Sequence, residues 1–251
     1  MDRHSRSSST ASQKDFKDLP KVVLMVFARM IFAFLAQGII ALLFFRNVSH
    51  PLQAAAPWWP VYGTLIDVGC FLLLRHWSAE TLADLIQFNR KLLFKDFFSG
   101  LKMILWVFPL AMGGIVSFSL IFFNSPQPPE IYQPLPFWAA IYSLTVFPLI
   151  WALMEQTTYQ GYALNQLTAL FQHKGLSVAL VTFGWGIQHI ALPFIADWRY
   201  LLYRFLSFLP LAALMCIVYM RKKRLVPFIT AHWLLDAAGV FSGIILPTIL
   251  Q

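Results

Sequence analysis

The sequence predicts an all-α fold, a polytopic transmembrane helical bundle, and three observations predict it. Charged residues make up 12% of the 251 residues and hydrophobic ones 59%, whereas a soluble domain carries about twice that charged fraction. Mean hydropathy is +0.65. The apolar residues run in long blocks instead of an amphipathic rhythm, and about seven of these blocks can cross a hydrocarbon core, which takes about 20 helical residues.

In chain order the spans fall near 22–45, 54–74, 101–123, 135–154, 176–195, 200–220 and 225–249. The fourth is expected to continue as helix past residue 155. Residues 1–20 are polar and Ser-rich and read as a disordered cytoplasmic tail, leaving 21–251 as a single integral membrane domain. Nothing in the N-terminal region has the form of a cleavable signal peptide, so the first span is expected to be a permanent anchor. Residues 78–98, "SAETLADLIQFNRKLLFKDFF", mix charges with Leu82, Leu85, Ile86, Leu93, Phe94 and Phe97. That composition suits an amphipathic helix lying in the membrane interface, with Ser78 as its N-cap. The proline-rich stretch 124–136 reads as an extended outer loop.

Net charge is +8, and its distribution decides what it means. Arg3, Arg6, Lys14, Lys17, Lys21, Arg75, Arg90, Lys91, Lys95, Lys102, Lys174 and the run Arg221–Arg224 all fall on one side of a seven-span topology. The other side holds Arg46 and Arg199, with Arg204 just inside the next span. This is the positive-inside pattern, with the N-terminus cytoplasmic and the C-terminus outside. The positive charge is thus assigned to topology and to membrane lipids, not to nucleic acid. The setting expected is a bacterial cytoplasmic membrane. Cys70 and Cys216 fall inside spans and read as small buried hydrophobes.

Ionisable groups inside spans cost about 2.5–3.5 kcal/mol each to insert and are functional candidates by default. They are Arg29, Asp67, Glu155, His189, His232 and Asp236. Arg29 lies near the start of the first span and is expected to snorkel inward. Asp67 could pair with Arg29 or with a histidine. The other four come from three spans of the C-terminal half. His232 and Asp236 are spaced i, i+4 and share one helix face, as do Trp185 and His189. Two carboxylates and two imidazoles form a polar cluster that is satisfied only if it faces inward.

Glu155 followed by "QTTYQGY", then W-x-x-x-H at 185–189 and H-x-x-x-D at 232–236, resembles the CAAX protease and bacteriocin-processing (CPBP) family. These are glutamate-dependent intramembrane endopeptidases that include the CAAX prenyl endopeptidases. The family pattern is E-E-x-x-x-R, an aromatic-x-x-x-H and H-x-x-x-N/D, with the motifs here confined to 135–240. The chain keeps the leading glutamate and departs at two positions, Gln156 for the second glutamate and Gln160 for the arginine. The two changes remove one charge of each sign. The resemblance implies Glu155 as general base, His189 as a water-binding partner, and His232 with Asp236 as an oxyanion-stabilising pair. Gln156, Tyr159, Gln160 and Trp185 would surround them. It also implies a metal-independent reaction with no cofactor. Zinc is the rival chemistry, since two His and one Glu can bind it, but no H-E-x-x-H is present. The substrate implied is a membrane-embedded or membrane-docked peptide or protein. Two other functions fit the same residues: an inactive scaffold of this fold that binds a membrane protein partner, and a proton-coupled transporter.

Overall fold

Apolar blocks in lipid have one way to satisfy their backbone, which is to form helices that bond internally. The computed structural model describes residues 16–127, 129 and 133–250, and these form helices and no strands. After a turn at Phe16–Asp18, α1 (Leu19–Phe44) crosses first. The short α2 (Pro51–Ala55) leads into α3 (Trp59–Trp77), and α4 (Leu82–Leu85) precedes the long α5 (Leu93–Phe123). The fourth pass is segmented: α6 (Phe137–Thr145), α7 (Phe147–Gln156), a π-helical stretch Thr157–Leu164, and α8 (Asn165–Phe171). Pro148 stands in the first turn of α7 and has no N–H to continue the ladder of α6, which explains the break. α9 (Lys174–Gln188), α10 (Trp198–Lys222) and α11 (Val226–Val240) follow. A second π stretch, Phe241–Ile245, joins α11 to α12 (Leu246–Ile249).

Six helical segments are long and apolar enough to cross a membrane. The expected fifth span, 176–195, is not one of them. Its helix α9 has 15 residues and ends in a 3-10 turn at His189–Ala191. Pro193 then bars further helix, and Gln188 and His189 make the segment less apolar. α9 nonetheless runs deep into the bundle, because beyond it the Phe194 N–H donates to Gln37 Oε1 and its carbonyl accepts from Gln37 Nε2, far along α1 from Leu19. Among the described residues, six segments thus have full transmembrane length, and α9 is a shorter helix packed inside the bundle against α1 and α10.

Two further expectations change. Residues 78–98 do not form one interfacial helix. Thr81, not Ser78, caps α4 through a reciprocal box with Asp84, and the hydroxyl and backbone N–H of Thr81 hold the Asp84 carboxyl below its ordinary range. Gln87 then adopts a positive φ of 53° and stops the helix, while residues from Leu93 onward join α5. Leu85 is buried and Leu225 N–H donates to Ile86 O, so this segment plugs the bundle end. The tail expected over 1–20 lies outside the described residues up to residue 15, and from Phe16 the chain is already helical. The outer loop at 124–136 lies partly outside them as well.

The expected fourth-span continuation is present, since helix persists to Phe171. α7 is central, packed against α3, α6 and α11, while the π stretch behind it meets α1, α4 and α9. α10 packs along α5 and α9. Large apolar side chains face outward, Leu42, Phe94 and Leu105 among them, as lipid contact requires. The bundle ends differ. Arg224 pairs with Asp96, Lys222 donates to Ser99 and Lys223 to Asn165, gathering the basic residues at one end. The opposite end is aromatic, with Trp58 against Trp138 and Phe122 against Trp198.

Small residues let helices touch. A Cβ at Gly114 of α5 would strike the backbone carbonyl oxygen of Ser207 on α10. Gly114→Val should therefore wedge these helices apart and cost about 1–3 kcal/mol, read as a lower thermal unfolding midpoint in detergent at normal expression.

Candidate functional site

The polar residues of the spans converge where α1, α3, α7, α9, α10 and α11 meet. Glu155 stands two residues before the π stretch, at the C-terminal end of α7, and is 1% exposed. Its Oε1 accepts a hydrogen bond from the Trp185 indole N–H on α9. The Trp185 ring is held in place by stacking on Tyr159, with centroids 5.5 Å apart and planes 15° apart. The Tyr159 hydroxyl lies 3.2 Å from both Gly184 O and Gln188 Oε1. The π turn thus delivers Tyr159 beneath the indole that orients the glutamate.

The two histidines are held in opposite ways. His189 Nδ1 lies 2.9 Å from the Trp185 carbonyl oxygen. A carbonyl only accepts, so Nδ1 carries the proton and Nε2 presents a lone pair. The ring stacks on Phe208 at 3.9 Å. His232 Nδ1 lies 3.0 Å from Gln156 Nε2. An amide nitrogen only donates, so in this orientation of the Gln156 amide Nδ1 accepts and Nε2 is left to carry the proton. Asp236 Oδ2 is 3.3 Å from that Nε2, an ion-pair distance without hydrogen-bond geometry.

Glu155, Gln156, Trp185, His189, His232 and Asp236 line one cavity of about 90 Å³, room for a few waters. Aromatic and aliphatic side chains, including Trp59, Trp151, Phe208 and Leu211, make up most of the remaining wall. Arg204 joins it from α10, donating to the carbonyl oxygens of His189 and Leu192. Gln160 does not join the cluster. It is fully buried, lies against Cys216 and does not line the cavity. Among the described residues no three His, Cys, Asp or Glu side chains are grouped as metal ligands. Cys70 and Cys216 are free and buried.

Arg29 overturns its expectation. It does not snorkel but is 0% exposed, with Nη1 donating to Asp67 Oδ1 at 2.8 Å and Nε to Gln188 Oε1 at 2.9 Å. Its Nη2 faces Glu155 Oε2 at 3.5 Å, and its guanidinium sits 4.0 Å over the Trp151 ring. Asp67 pairs with Arg29, one of the two partners expected for it. Sequence reasoning also passed over Gln188 and Arg204. The signal for Gln188 was a buried-span amide adjoining a histidine, and for Arg204 a cation one turn and a half into a span.

These features define a class: an all-helical integral membrane protein with a small, mostly apolar cavity at the centre of its bundle, into which a glutamate and two histidines project. Residues 136–238 match the family model described as Type II CAAX prenyl endopeptidase Rce1-like. The match covers the helices that carry Glu155, His189, His232 and Asp236, and less than half of the chain. No curated protein and no solved structure matches.

The indole donor to Glu155 is separable from the ring that carries it. Trp185→Phe keeps the stack on Tyr159 and strands a buried carboxylate oxygen, so stability should fall by about 1–3 kcal/mol. Thermal unfolding in detergent, with Trp185→Tyr as a second probe of ring size, measures it.

Proposed function

We propose that the protein is an intramembrane endopeptidase that hydrolyses a peptide bond of a membrane-embedded or membrane-docked chain with a water activated by Glu155. The observation that carries this reading is the single cavity that Glu155, His189 and His232 line together. Hydrolysis needs an acceptor for the water and a donor for the developing oxyanion. His189 Nε2 is the acceptor and His232 Nε2–H the donor.

A water held between Glu155 and His189 gives one proton to the glutamate, and its oxygen bonds to the carbonyl carbon. The carbonyl oxygen becomes an oxyanion and takes the His232 Nε2–H hydrogen bond. Collapse of the intermediate breaks the C–N bond, and Glu155 returns its proton to the leaving amine. The products are one carboxylic acid and one amine, and no serine or cysteine nucleophile takes part. Asp236, 3.3 Å from His232 Nε2, steadies the imidazole. In this reading no metal or cofactor is used. Stoichiometric zinc, retained on purification and required for activity, would overturn that point. The basic end of the bundle is placed in the cytoplasm, as the positive-inside rule directs.

The departure at Gln156 is compatible with activity, because its amide keeps a hydrogen bond to His232 Nδ1. The departure at Gln160 favours the second reading, a catalytically silent scaffold that holds a membrane protein partner.

The deciding experiment compares wild type with Glu155→Gln, His189→Ala and His232→Ala in the native host, by peptidomics and membrane proteomics. A cleaved product should fall by about 10²–10⁴-fold in each variant while membrane abundance stays normal. Variants equal to wild type, with a phenotype only on deletion of the whole protein, would establish the scaffold. Gln156→Ala releases His232 from its tautomer without removing it. It should slow cleavage about tenfold, as loss of about 1.4 kcal/mol of transition-state stabilisation does, with KM little changed in an assay of the identified product.

A further inference from the structure

The proposed mechanism leaves unused the most deeply buried charges of the protein. Arg29 donates strongly to Asp67 at 2.8 Å but stands 3.5 Å from Glu155, without a hydrogen bond. Arg29 Nη2, Asp67 Oδ2 and Glu155 Oε2 are all buried and have no hydrogen-bond partner. One guanidinium is therefore divided between two carboxylates, and the division is unequal. Its position is not adjustable, because Gln188 Oε1 holds Nε and the Trp151 ring lies under its face.

We propose that Arg29 and Asp67 are positioning residues for Glu155: Arg29 keeps the glutamate at the cavity wall, and Asp67 draws enough of the guanidinium's charge that Glu155 can still take up a proton. A buried carboxylate fully paired with an arginine is a poor base, because protonation breaks the pair in a medium of low dielectric. A buried carboxylate with no cation nearby stays protonated. The arrangement avoids both extremes. Arg29 belongs to α1 and Asp67 to α3, so two helices outside residues 136–238 act on the centre.

Other charged and titratable groups surround Glu155. His189 comes from α9, Arg204 from α10, His232 and Asp236 from α11, Cys70 from α3, and Tyr159 from its own pass. None of them donates a hydrogen bond to Oε2. The catalytic meaning of the pair rests on Glu155 being the base, but the pairing itself does not, which allows a test that needs no substrate.

The test is a pH titration of the purified full-length protein in detergent, followed by infrared difference spectroscopy. The carbonyl stretch of the protonated Glu155 carboxyl is identified by its loss in Glu155→Gln. Asp67→Asn removes a competing negative charge, so the titration midpoint should move to lower pH by about one unit or more. Arg29→Gln removes the positive charge and should move it to higher pH by a similar amount. The double variant should return toward wild type. A purely structural role would not produce shifts of opposite sign. Shifts in the same direction, or no shift in either single variant, would overturn the proposal. Should Arg29→Gln fail to accumulate in the membrane, Asp67→Asn decides alone: a downward shift supports the pairing, and no shift or an upward one overturns it. A wild type that cleaves nothing would remove the protease reading and leave this titration standing, so the two failures are distinguishable.

Discussion

A guanidinium inside a bilayer has no water to turn to, and the arrangement of this bundle follows from how Arg29 is met. Its three nitrogens face Asp67 on α3, Gln188 at the end of α9 and Glu155 on α7, with Trp151 of α7 beneath. Four helices are thereby tied at one buried point. Each partner alone would be costly in hydrocarbon, and together they satisfy most of one another's needs. The penalty for misplacing any of these helices is a stranded charge, which makes the cluster a constraint on packing as well as a feature of chemistry.

Around that point the fourth pass is built to turn polar groups inward. Pro148 breaks the helix above the site and the π stretch widens it below. Tyr159 then lies beneath Trp185, and Trp185 reaches Glu155. The residues from α11 enter by another route, since the i, i+4 spacing of His232 and Asp236 presents both to the same cavity. The two imidazoles meet different partners, a backbone carbonyl for His189 and a side-chain amide for His232. The chemistry available in the cavity is set by these partners as much as by the imidazoles.

The two departures from the resembled motif have different fates. Gln156 lines the cavity and its amide bonds His232. Gln160 is turned toward Cys216, away from the cavity. The positive charge beside Glu155 comes from Arg29, on a helix far away in sequence.

The sequence by itself determined the membrane class, six of the expected spans near their observed places, and which ionisable residues lie inside the helices. These are local properties: twenty apolar residues make a span wherever they occur, and an ionisable residue within one stands out against them. Helix spacing alone also paired His232 with Asp236. Only the tertiary structure decided that Arg29 turns inward instead of snorkelling, that Gln188 and Arg204 belong to the centre, and that Gln156 faces the cavity while Gln160 does not. It also split the segment 78–98 between a bundle plug and α5, and it kept α9 short. Each of these depends on which faces of distant helices meet. A charge in hydrocarbon goes to its nearest counter-charge, and the nearest one here, Asp67, stands 38 residues away on another helix.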